Sequence, residues 1–517
     1  MKGSTMRTLL GVSALVFVAC ATAPAPSPTA AAATPPATQP APAMPALQDA
    51  EFRLKPPPAG PAVVFRAPVP KVLTLKSGLT VWLLERHDLP LVSLALVVDA
   101  GANTNPPRLP GVSSFVAAML DEGTPTRDAV ATASDFEDLA AVFRADSDAE
   151  TLTASLSVPT ESFPKALEVY ADVVLHPAFK PAELERVRTL RLGELQEMMS
   201  DASQVGRNVL LHVIYGDKHP WGFPARGTVE ATKKVSRTTL AAWHRTWVRP
   251  NNATLVVVGD VHEAELLPLL ETRFAKWARA KVPSTKLPPA ASVKQRPLVL
   301  VDKAGAAQSQ VWMGQLAVSS SSPDLYATRL ANIALGSGKG RLTANLRTKH
   351  AYSYGAYSFL IERRQEGSFA AFGGIVADKT PEAVQEFLVE LSGMAKGGVT
   401  DTELSEARSA AIDGLPARFE SNDATAAAFA TAQSLGFGTD YFASLPDKLS
   451  SVSKPDADKA AQAHFSPARM PIVVVGPMAS LEPRLTALKL GPTEKRDAAG
   501  KLLPAASKKR PLKGAAP

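Results

Sequence analysis

Cysteine is almost missing from this 517-residue chain: Cys20 is the single one, which excludes an intrachain disulfide and any zinc site built on several thiolates. Long apolar runs are missing too. The longest candidate, Leu9 to Ala19, is too short to span a bilayer. The eight histidines, His87, His176, His212, His219, His244, His262, His350 and His464, include no pair at i and i+4, so no helix carries the two-histidine grip of a metallopeptidase. Gly216 and Pro220 interrupt any helix joining His212 to His219, whose H-P-W-G setting reads as a structural turn. A phosphate cradle is also absent. The glycine-rich stretch GSGKGRL at 336–342 has Ile333 and Gly340 where a P-loop needs glycine and a hydroxyl residue, and it reads as a flexible mouth beside a helix. The formal charge of +7 is no basic surface for nucleic acid, because Lys495, Arg496, Lys501, Lys508, Lys509, Arg510 and Lys513 crowd into the last segment, read as a solvated tail.

What is present is an ordinary globular balance, 45% hydrophobic and 20% charged, with length for two or three domains. Lys2 and Arg7 precede the short apolar run, which ends VFVAC. This is the shape of a secretory signal closing on a lipobox-like site, with Phe17 standing where that pattern usually has leucine. Cys20 is then the expected lipidation site, and several acyl chains on one residue give stable membrane attachment. Ala21 in place of a retention-type aspartate points to the outer membrane facing the periplasm. Residues 21–67 are read as an Ala/Pro-rich tether unable to bury a core.

From residue 68 the pattern becomes ordered. VLTLKSGLTVWLLER reads as a hairpin turning at Ser77 and Gly78, and LPLVSLALVVDAG as a strand with Val92, Leu94, Leu96 and Val98 on one face. The stretch PNNATLVVVGDV at 250–261 recurs as PARMPIVVVGPM at 467–478, with Gly476 standing 217 residues beyond Gly259. The same offset carries the third strand onto AQSQVWMGQL and the helix opening at 111 onto ATRLANIALGSG at 327–338. The chain is therefore expected to be α+β, with two tandem homologous domains, each a mixed or antiparallel sheet packed with helices. Their boundaries are 68–280 and 298–488, joined by a linker at 281–297 and followed by a disordered basic tail at 489–517.

The stretch GVSSFVAAMLDEGT at 111–124 places Val112, Phe115, Val116, Met119 and Leu120 in one helical stripe facing a core. Ser114, Ala117 and Ala118 share the neighbouring face. This stretch, GDKHPWGFPARGTVEATKKVS at 216–236, RPNNATLVVVGDV at 249–261 and LRTKHAYSYG at 346–355 together resemble the pitrilysin/insulinase metallopeptidases over residues 68–485. In that family the opening helix carries H-x-x-E-H, in which two histidines bind zinc and the glutamate activates the metal-bound water. Laid onto this chain, the motif falls on Ser114, Ala117 and Ala118, and all three functional side chains are missing. The family's third ligand matches Glu194, a vestigial position, since a lone carboxylate cannot hold zinc. The resemblance also implies an arginine and tyrosine that orient the substrate and polarise its carbonyl; they match Arg347 and Tyr354.

Three readings follow. In the first, the chain is the non-catalytic, Arg/Tyr-supplying subunit of a heterodimeric periplasmic zinc metalloendopeptidase: it binds no zinc itself, its homologous partner does, and an extended peptide is the substrate. In the second, it is a peptide-binding or scaffolding envelope lipoprotein without a proteolytic partner. In the third, it is a metallopeptidase in its own right that grips zinc through unusual ligands assembled in space.

Overall fold

The computed structural model describes residues 65–291 and 293–504. The expected signal at 1–20, the lipidation site Cys20 and most of the 21–67 tether lie outside the described residues. Among those described, no helix is long and apolar enough to cross a membrane.

The first half builds a six-stranded sheet from β1 (Lys71–Thr74), β2 (Thr80–Glu85), β3 (Leu91–Val98), β4 (Val142–Ser147), β5 (Leu152–Pro159) and β6 (Ala253–Gly259), in the order β1-β2-β6-β3-β5-β4. β1 and β2 are the expected hairpin, paired Thr74 to Thr80 at its turn. β2 runs parallel to β6, and the remaining neighbours are antiparallel. The second half repeats the plan with β7 (Leu298–Asp302), β8 (Gln308–Leu316), β9 (Ser353–Ile361), β10 (Ser368–Val376), β11 (Ile472–Gly476) and β12 (Thr493–Arg496), in the order β12-β7-β11-β8-β10-β9. Here β11 takes the place of β6 and β8 that of β3, as the repeat requires.

Two boundaries and one burial pattern differ from the sequence reading. Part of the expected tail is a strand: β12 lies parallel to β7, with Thr493 opposite Leu298, and Lys495 pairs with Glu482. The sheet edge that the first half closes with its hairpin is closed in the second by this C-terminal segment. An open ladder of Leu298–Val301 amides outweighs the segment's poor apolar content, because backbone bonding does not depend on side-chain type. At the other end, Phe65 lies 5.4 Å from the Phe419 ring and Ala67 is buried, so packing begins before residue 68. Finally, β3 is buried on both faces after Leu91, where alternation predicted one.

The second face of β3 explains how the halves are joined. Each sheet is covered by helices of its own half on one side and by a helix of the other half on the second. Ala95 and Val97 meet Ala430 of the helix Asn422–Ser434, while Val205, Val209 and Leu210 of the helix Ala202–Tyr215 pack on Val299, Trp312 and Val473. These two helices are themselves counterparts in the repeat, so the cross-packing is reciprocal. Gly206 permits it: a Cβ there would fall 2.4 Å from Trp312 Cδ1. Polar contacts seal the seam, with Arg364 on Asp99 at 2.7 Å and Ser93 Oγ donating to Asp423 at 2.5 Å. The described residues of the linker 281–297 form no helix or strand, and the Ala291 amide bonds to the Tyr215 carbonyl.

Candidate functional site

The opening helix, Val112–Ala117, is shorter than its periodicity suggests, with Ala118 as its C-cap. Its apolar stripe is nevertheless complete: Val112, Phe115, Val116, Met119 and Leu120 are all essentially inaccessible. Ser114 and Ala117 are buried as well.

The space beside Ser114 is taken by an arginine. Arg191, on the long helix Pro181–Ser200, donates from Nη1 to Ser114 Oγ at 2.7 Å and from Nη2 to the Ser114 carbonyl at 2.8 Å. It also reaches the Arg226 carbonyl at 3.2 Å, and its guanidinium lies 4.7 Å from the centroid of the Phe115 ring. Ser114 Oγ in turn donates to the Ala225 carbonyl at 2.8 Å. Arg191 is 3% exposed, and burial, with the like charge of Arg226 second, pulls its pKa down to about 10, so it remains a cation at neutral pH. The position that in the family receives a histidine thus anchors a fixed guanidinium. Glu194, one turn further along the same helix, is half exposed and pairs with Arg226 at 2.5 Å. Ser114, Ala117, Ala118 and Glu194 therefore do not fit zinc: two bring no ligand atom, one is bonded to Arg191, and the carboxylate is engaged by a cation. Arg191 was not singled out from sequence, although its place three residues before Glu194 puts both on one helix face.

Glu194 and Arg226 line a cavity of about 1180 Å³ between the two halves. Its far wall is the end of β9, where Glu362 holds Arg329 in a two-pronged ion pair at 2.5 Å and Arg363 lies 4.1 Å from the Trp221 ring centroid and 5.0 Å from that of Tyr215. Arg363 is 6% exposed, with Nε and Nη1 unpartnered against the rings. His219 is packed into the same group, 4.9 Å from each ring, its Nδ1 accepting from the Trp221 amide at 3.1 Å. Burial, then the charge of Arg363, lowers its pKa to about 4 and keeps it neutral. The structural reading of His219 holds, and its partner across the seam is the part the sequence did not reveal.

Arg347 and Tyr354 do not line this cavity. Both are exposed, Tyr354 to 84%. Each sits on irregular backbone. Arg347 falls in a π-helical turn, Ala344–Lys349, and Tyr354 in a bulge of the edge strand β9, where Ser353 pairs with Ile375 but Ala356 with Gly373. Between them Ala351 holds a positive φ of 54°. A π turn and a bulge both re-aim side chains, and both concentrate at functional sites. Within the GSGKGRL loop, a Cβ on Gly336 would lie 2.2 Å from the Ser358 amide, so that glycine serves close packing of the helix Leu325–Gly336 on β9, while Gly338 faces open space.

Comparison with known proteins accords with this architecture. Residues 80–220 match the family described as insulinase (peptidase family M16), and residues 234–411 match the peptidase M16 inactive domain. An uncharacterized zinc protease of Mycobacterium tuberculosis is 24% identical over 363 residues, spanning 69% of this chain and 81% of that protein. Subunit beta of the human mitochondrial-processing peptidase is 27% identical over 289 residues, spanning 55% and 58%. The crystal structure of a peptidase M16 inactive domain from Pseudomonas fluorescens superposes with a TM-score of 0.73 at 22% identity, covering 79% of this chain and 98% of that one. With both M16 models matched in order, two six-stranded repeats and an opening helix stripped of its zinc motif, this chain belongs to the pitrilysin/insulinase family as a non-catalytic member.

Proposed function

We propose that the chain is the Arg/Tyr-supplying subunit of a two-chain periplasmic zinc endopeptidase, held at the outer membrane by lipid on Cys20. The observation that carries this reading is a contrast: the zinc position is closed by Arg191, while Arg347 and Tyr354 stand free on irregular backbone. A carbonyl under attack develops negative charge, which a phenolic hydroxyl can stabilise and a guanidinium can orient, so a partner that brings zinc and its base would be complemented by this pair. Extended peptide would add to a free sheet edge; β4 and β9 are the outermost strands on that side of their sheets.

Mixing the purified full chain with its zinc-bearing homologue from the same cell is expected to raise peptidase activity. Arg347→Ala or Tyr354→Phe should then lower kcat/KM by about 100-fold or more, the usual cost of a lost oxyanion donor. No gain on mixing sinks the proposal.

One observation favours a second reading, a peptide-binding envelope lipoprotein with no proteolytic partner. The cavity between the halves survives, lined by the buried Arg363, although the chemistry beside it is gone. Peptide binding by the unmixed chain, unaffected by changes at Arg347 and Tyr354, would select it.

A further inference from the structure

β2 and β6 are neighbours and run parallel, with Glu85 opposite Gly259, so both chains leave the sheet at the same end. Each exit carries an acidic residue followed two positions later by histidine: Glu85, the last residue of β2, with His87, and Asp260 with His262 after β6. In extended chain, residues i and i+2 project to one side, so the two tripeptides present their polar groups together. The outcome is a cluster in which one ligand atom each from Glu85, His87 and His262 lies within 4.8 Å of the others.

The detailed geometry is that of a site with an orienting shell. Asp260 Oδ1 is 2.7 Å from His87 Nδ1, which fixes the tautomer and turns Nε2 towards Glu85 Oε2 at 3.8 Å. His262 Nδ1 stands 3.9 Å from the same oxygen, and the two imidazole centroids are 4.5 Å apart. Glu85 is held by its other oxygen, which accepts from the Glu263 amide at 2.9 Å. Arg86, between the ligands in sequence, sends Nη1 away to the Phe419 carbonyl at 3.0 Å. Ligands at zinc-type bond lengths around a tetrahedral ion are roughly 3.3–3.5 Å apart, so closing these gaps needs only small side-chain movements.

We propose that Glu85, His87 and His262 form a surface site for a divalent transition metal of the zinc class, with Asp260 as the positioning carboxylate. Two imidazoles and one carboxylate select such ions over magnesium or calcium, which prefer all-oxygen shells. The remaining coordination positions fall to water. The bound ion clips the exits of β2 and β6 together at the start of the helix Glu263–Arg273.

The test uses the full chain freed of metal, dialysed against micromolar zinc, beside a His87→Ala/His262→Ala variant. Both histidines are exposed, so the variant should match the parent in circular dichroism and metal-free Tm. The expected result is one zinc per chain, a Tm that rises with zinc, and an affinity that falls by about tenfold or more in the variant. Asp260→Asn should weaken binding by about tenfold through loss of orientation alone. Less than one equivalent bound by the parent, or an unchanged stoichiometry and affinity in the double variant, overturns the assignment.

Discussion

The most informative single residue is Arg191. Its guanidinium satisfies Ser114, the Arg226 carbonyl and the face of Phe115 at once, so a position vacated by a histidine ligand has become a structural joint. Removing a buried cation that bonds several fixed carbonyls leaves those acceptors without partners. Arg191→Ala is expected to destabilise the chain by about 3 kcal/mol, and Ser114→Ala by about 1–2 kcal/mol, since the latter removes one hydroxyl from a site that keeps its backbone acceptors. Urea unfolding of the two variants checks both figures, and equal losses would contradict the assignment of the charge as the anchor. Sequence alone exposed what was missing at 114, 117 and 118. It did not expose the replacement, because Arg191 is 77 positions from Ser114 and only folding brings them together.

At the scale of elements, the repeat was legible because strand and helix periods survive as patterns of apolar residues, and packing tolerates substitution that chemistry does not. The hairpin at β1 and β2 came directly from alternation, which also marked β3 as a strand while missing its second buried face. β12 was not legible: Thr493–Arg496 is polar and charged, and its strand state comes from the open edge of β7. Truncation after Pro492 should expose that edge, lowering Tm and promoting self-association detectable by light scattering. A truncated chain that stays monomeric with an unchanged Tm would show that β12 contributes nothing. Gly206 makes a sharper element-level case. Gly206→Ala must separate the helix Ala202–Tyr215 from Trp312, and a cost of about 2–3 kcal/mol is expected in spite of alanine's better helix propensity. A gain in stability would indicate that the approach is not as close as described.

For the whole molecule, the seam between the halves contains a titratable group. His219 is neutral when folded, with a pKa lowered to about 4 by burial and then by Arg363. Unfolded, it titrates near 6.5, so below that pH the unfolded chain binds the extra proton. Its contribution is therefore fully present above about 6.5, is lost progressively as pH falls, and levels off below about 4, amounting at most to about 3 kcal/mol. His244, half-buried in the first half with Nε2 bonded to the Val174 carbonyl, titrates in the same sense. The urea midpoint should drop from pH 7 to pH 4, and His219→Gln should flatten part of that slope. A slope identical in the variant would remove His219 from the account.

The sequence by itself determined that there are two α+β repeats, that the zinc motif is gone, and that Arg347 and Tyr354 keep the family's spacing. These are matters of which side chains occur and at what intervals along one chain. Only the tertiary structure decided that a guanidinium fills the vacated position, that each sheet is roofed by the other half's helix, and that two acid-x-histidine tripeptides meet at the ends of β2 and β6. Such contacts join residues far apart in the chain, and their energies depend on distance and burial, which no local pattern encodes.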